Sequence, residues 1–121
     1  MPLHIGIVAC SAEGAALCFY PEKLAARGLA WVLPSAAERE EISRIILEEL
    51  VYGVFEPRAV TCYLEVIERM KSQGCDAVIL GCTEVPLIID DSNSPLPTLD
   101  STRLLARAAL RRAVGGAESK R

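Results

Sequence analysis

The stretch Asp76-Ala-Val-Ile-Leu-Gly-Cys-Thr-Glu-Val-Pro-Leu87 decides the fold of this chain. Ala77 to Leu80 is an uninterrupted apolar run, β-branched at its centre. Such a run, bounded by turn residues, suits a strand buried on both faces of a parallel sheet. Gly81 ends the run and leaves Cys82 at the strand's carboxyl end. That is the edge at which open α/β sheets carry their chemistry. Thr83 and Glu84 are expected to open a helix, with Pro86 tolerated in its first turn. A thiol beside the amides of a helix N-terminus has its pKa drawn down from roughly 8.5 toward neutrality. A cysteine in this position is also commonly a small buried hydrophobe, so position alone leaves both readings open.

Upstream, Leu3 to Ala9 is a first strand, with Gly6 expected to admit a neighbouring backbone. Cys10-Ser11-Ala12-Glu13-Gly14 follows at its carboxyl end, where Ser11 can cap a helix and free amides can hold a carboxylate. Ala12 to Arg27 is alanine-rich and helical, with a break expected near Tyr20 because of Pro21. Leu29 to Leu33 is a second strand. Ser35-Ala-Ala-Glu38 is a capping box that opens a helix with Ile42, Ile45, Ile46 and Leu50 on one face. Its glutamates form a solvated face. Pro57 starts a further helix, with Val60, Leu64 and Ile67 expected inward and Cys62 a packing residue. Gly74 caps it.

Downstream, Asp90 to Ser94 is a polar loop and Pro95 to Leu99 a short extended segment. Asp100-Ser101-Thr102 supplies caps for a last helix, Arg103 to Val114, whose Arg107, Arg111 and Arg112 suit its C-terminal dipole. Strands alternating with helices imply a parallel α/β sheet. The expectation is one flavodoxin-like, doubly wound lobe over residues 1–114, with a four-stranded parallel sheet in the order 2-1-3-4. Residues 115–121 are expected to be a disordered tail.

The 121 residues are half apolar and carry a net charge of −3, the composition of a single globular domain with a real core. No basic stripe marks a nucleic-acid partner. The apolar runs are too short to span a bilayer, and the start lacks the pattern of a secretory signal. Five cysteines, none in a C-x-x-C pair, and a single histidine argue against a zinc site. Free thiols point to a reducing cytoplasm. His4, near a strand entrance, reads as structural.

Gly81-Cys82-Thr83-Glu84, followed by Val-Pro-Leu, resembles the second cysteine motif of the aspartate/glutamate racemase family. Glutamate racemases tend to carry histidine after the Cys-Thr pair, so Glu84 points toward the aspartate and broad amino-acid racemase branch. The resemblance covers nearly the whole chain in two pieces. Ile5 to Cys18 looks like the start of such an enzyme, and Tyr20 to Val114 looks like its second half, with the join near Phe19 and Pro21. The family has two similar α/β lobes with one cysteine from each. The stretch carrying the first-lobe cysteine has no counterpart here, so the chain reads as the first strand plus the second lobe.

The resemblance implies thiol acid/base racemisation without a cofactor or metal, with Cys82 catalytic. Thr83, Glu84 and the amides after them would take the substrate carboxylate. Cys10, Ser11, Asp100 and Thr102 would line the crevice. The implied ligand is a small amino acid or dicarboxylate, and a homodimer would replace the lost lobe. Where the family often has a carboxylate-holding lysine, this chain has Glu56, which would repel an acidic side chain or merely favour the helix that Pro57 starts. Two other outcomes fit the same residues: a single-cysteine decarboxylase of the arylmalonate type, and a non-catalytic lobe that binds carboxylates or self-associates.

Overall fold

The computed structural model describes residues 3–9 and 19–115. The expectations for Cys10, Ser11, Cys18 and the tail beyond Gly115 lie outside the described residues. Four strands form one all-parallel sheet: β1 (His4–Ala9), β2 (Ala30–Val32), β3 (Ala77–Gly81) and β4 (Thr98–Asp100), in the order β2-β1-β3-β4. This is the expected order. The α-helices among the described residues are α1 (Phe19–Ala26), α2 (Ala36–Glu48), α3 (Pro57–Ser72) and α4 (Ser101–Gly115). None of the described helices is long and apolar enough to cross a membrane.

The sheet separates two apolar layers. On one side Val8, Val78 and Leu80 meet Ile42, Ile45 and Ile46 of α2 and Tyr63, Ile67 and Met70 of α3. Each such side chain contributes about 1.5–3 kcal/mol by leaving water. On the other side Ile5, Ile7, Ala9 and Ile79 pack with Tyr20 and Leu24 of α1. The inward stripe of α3 runs through Ala59, Tyr63, Val66, Ile67 and Met70. The expected Val60 and Leu64 are only partly buried at its margin, because the 3.6-residue period started one position earlier. Tyr63 is fully buried and its hydroxyl donates to the Ile42 carbonyl at 3.1 Å, which joins α3 to α2.

Phe19–Ala26 is helical through Pro21; the preceding part of the expected Ala12–Arg27 helix, on which the break near Tyr20 turns, lies outside the described residues. Two local expectations are corrected. Gly6 does not admit a backbone. A Cβ there would lie 2.5 Å from Met70 Sδ, so the glycine makes room for a buried methionine of α3. Gly115, expected as the first residue of the tail, belongs to α4.

The Ser35–Glu38 capping box forms in full: Glu38 N–H donates to Ser35 Oγ at 3.2 Å and Ser35 N–H to Glu38 Oε1 at 2.7 Å. Helix α4 buries no residue. Leu104, Leu105, Leu110 and Val114 all face solvent.

Candidate active site

Strand β3 runs between β1 and β4 and delivers Cys82 to the carboxyl edge of the sheet. Gly81 is needed on the way. A Cβ there would stand 3.1 Å from Ala9 Cβ and 3.2 Å from the Val8 carbonyl, so the glycine keeps β1 and β3 close at their ends. Cys82 is 7% exposed and belongs to the core layer that includes Leu80, Val85 and Ile89.

The segment after Cys82 departs from the expectation. No α-helix begins at Thr83. Val85–Leu87 forms one 3₁₀ turn with Pro86 at its centre, closed by Ile88 N–H donating to the Val85 carbonyl at 3.0 Å. The chain then enters the Asp90–Ser94 loop. A single such turn has no appreciable macrodipole, so the reason given above for a lowered Cys82 pKa does not hold.

What lies beside the thiol is a carboxylate. Cys82 Sγ–H donates to Glu84 Oε2 at 2.8 Å, and Thr83 Oγ1–H donates to the same oxygen at 2.7 Å. The bond from Cys82, then that from Thr83, hold the Glu84 carboxyl below the ordinary carboxylate range against a smaller effect of burial. Glu84 is partly buried and Thr83 exposed. The other described thiols differ. Burial pushes Cys62 up, helped by Glu41, Glu65 and Glu38, and burial followed by Asp76 pushes Cys75 up.

Asp100 sits on a second feature, which Thr102 does not line. A cavity of about 420 Å³ opens beside β4, lined among others by Leu80, Pro86, Asp91, Asp100, Arg103 and Arg107. Cys82 does not line it. Asp100 Oδ1 accepts from Arg103 N–H at 3.2 Å and so caps α4, as its position suggested. Asp91 Oδ1 accepts from Thr98 N–H at 2.7 Å and from Thr98 Oγ1–H at 2.8 Å, which holds its carboxyl low. Thr102 is exposed on α4. Arg103 and Arg107, one turn apart, make no ion pair among the described residues. They are the cavity's cationic wall. Sequence reading assigned Arg107 a helix-dipole role and Arg103 only the start of the last helix; their i, i+4 spacing directly after the helix cap was the available signal for a shared wall. Glu56 precedes α3 without making a side-chain capping bond, and it lines a smaller cavity with Glu41, Arg44, Glu49 and Arg58.

Residues 2–109 match the family model for the Asp/Glu/Hydantoin racemases. The chain belongs to this racemase family. Among solved structures, a candidate Asp/Glu racemase from Yersinia pestis superposes with a TM-score of 0.84 at 30% identity, covering 92% of this chain and 48% of that one. An aspartate racemase homologue from Pyrococcus horikoshii gives a TM-score of 0.82 at 29% identity, covering 92% and 48%. The aspartate racemase of Picrophilus torridus gives 0.73 at 25% identity, covering 93% and 46%. The chain thus spans about half the length of its solved relatives. It is one racemase-family lobe, with a Cys-Thr-Glu cluster at the carboxyl edge of β3 and an arginine-walled cavity beside β4.

Proposed function

We propose that this chain is a cytoplasmic racemase lobe that moves a proton at the α-carbon of a small amino acid or dicarboxylate through Cys82, without a cofactor. The observation that carries the reading is the Cys82–Glu84 hydrogen bond at 2.8 Å, at the sheet edge where open α/β folds hold their ligands. Racemisation requires a base on one face of the carbon and an acid on the other. One lobe supplies one of these groups. A second copy of the chain would supply the other, so the active species would be a homodimer. The apolar side chains exposed on α4, and those of Leu47, Val51, Tyr52 and Phe55 around the end of α2, support self-association. Arg103 and Arg107 suit a substrate carboxylate by charge.

A second reading is favoured by the same hydrogen bond. A thiol held as a donor is equipped to protonate a carbanion left by loss of carbon dioxide, a task that needs a single cysteine. The two are separated by incubating the chain in D2O with aspartate or glutamate, and with an aryl malonate. Deuterium at the α-carbon supports racemase chemistry, carbon dioxide release supports the decarboxylase, and neither result leaves a non-catalytic lobe.

A further inference from the structure

We propose that the C-terminal half of α4 docks on the acidic, apolar patch between Leu47 and Glu56 of a second copy of this chain. The inference rests on the homodimer of the preceding reading and names the two faces that meet in it.

The faces differ, and each complements the other. Helix α4 has 15 residues, with arginine at Arg103, Arg107, Arg111 and Arg112 and no acidic residue. Arg103 and Arg107 line the cavity beside β4, whereas Leu105, Leu110, Arg111, Arg112 and Val114 do not. The apolar side chains of that second group are exposed, Leu105 most of all at 71%. A helix of this length is marginal in water unless one of its faces packs. Within the lobe α4 buries none of its residues.

From Leu47 to Glu56 the charge is reversed, with Glu48, Glu49 and Glu56 and no basic residue. Leu47, Val51, Tyr52 and Phe55 are exposed among them, Tyr52 most of all at 76%. Arg44 reaches Glu41, Glu48 and Glu49 together, so one guanidinium faces three carboxylates. Glu56 makes no side-chain capping bond, and no ion pair among the described residues.

Charge decides which faces meet. Two α4 helices laid together would set arginine against arginine. Two Leu47–Glu56 patches would set carboxylate against carboxylate. Like charges brought together across an interface are costly. Helix α4 on the patch joins cation to anion and apolar to apolar. About a twofold axis the contact is made twice and the dimer closes. The patch borders the Cys82 side of the lobe. The Tyr63 phenol, kept neutral first by burial and next by Cys82, is also acted on by Glu49 and Glu41. The docked helix of the second copy therefore lies beside the candidate active site.

The test reverses the charge on each face and reads the light-scattering mass of the full chain over a concentration series. Arg111→Glu with Arg112→Glu, and separately Glu48→Arg with Glu56→Arg, should each weaken the dimer by at least about tenfold. All four side chains are exposed, so the fold should survive, which circular dichroism checks. Mixed in equal amounts, the two variants should form a mixed dimer about as tight as the unaltered one, because every face again meets its opposite. A monomer mass for the unaltered chain at high concentration overturns the proposal. So does a dimer indifferent to both pairs, or folded variants that stay apart when mixed. Weakening by one pair alone overturns it as well, the arginine pair alone pointing to α4 against α4. The readout is separate from turnover. Charge-swapped pairing in a chain that exchanges no α-proton keeps the interface and removes the racemase reading. Exchange by a chain whose mass ignores both pairs does the reverse.

Discussion

The guanidinium of Arg69 forks onto the carboxylate of Glu38, with Nε donating to Oε2 at 3.0 Å and Nη2 donating to Oε1. The same carboxylate completes the capping box at the start of α2, so one side chain ties the N-terminus of α2 to the last turn of α3. Burial alone would raise the Glu38 carboxyl, but the bonds from Arg69 and the Ser35 amide outweigh it and hold it below 4.5. The folded value lies below the unfolded one, so the contribution is fully present above pH 4.5 and is lost as pH falls through the lower folded value. Both partners are partly solvated. Glu38→Gln should therefore cost about 1 kcal/mol at pH 7 and less in acid. Urea unfolding at the two pH values checks both the size and the direction. Ser35→Ala, which removes the other half of the box, should also cost about 1 kcal/mol.

Gly6→Ala places a methyl group against the sulfur of Met70, which is fully buried. The expected cost is about 1–3 kcal/mol of overpacking. Met70→Ala alone should cost about 2–5 kcal/mol as a cavity. The double variant should be more stable than the sum of the single losses allows, because the new methyl group occupies part of that cavity. Additive losses in thermal or urea unfolding would show that the two sites do not share this space.

Replacing Leu105 and Leu110 by glutamate tests the exposed face of α4. Neither side chain is buried, so the stability of the lobe should change by no more than about 0.5 kcal/mol. If α4 lies in the contact between copies, the light-scattering mass should fall from that of a dimer to that of a monomer. A monomer mass for the unaltered chain at high concentration would count against self-association altogether.

Much of the fold was legible because it rests on local signals that agree. The apolar run Ala77–Leu80, the capping box at Ser35 and the isoleucine stripe of α2 each specify one element, and their order leaves one parallel topology. The errors came from effects that act across space or over one turn. Gly6 answers to Met70, distant in sequence, which no local pattern reveals. The inward face of α3 is set by Tyr63 and Met70, which are buried in the layer under the sheet, while Leu64 is only partly buried at its margin. Cys82 could be placed at the strand end from sequence. Its chemical surroundings could not, because Pro86 and the loop after it allow a single turn where a helix was expected. Glu84 was chosen by family resemblance as a ligand-binding residue, whereas here its side chain turns back onto the thiol.

The central claim is that Cys82 is the group that moves the proton. It is tested most directly by the rate at which solvent deuterium enters the α-carbon of aspartate or glutamate, compared between the unaltered chain, Cys82→Ser and Cys62→Ser. The replacement of sulfur by oxygen is nearly isosteric and should leave the fold intact, which circular dichroism can verify. The account predicts exchange in the unaltered chain and in Cys62→Ser, and a fall of at least about a hundredfold in Cys82→Ser, the scale of a lost general acid or base. Exchange that persists at full rate in Cys82→Ser would contradict it.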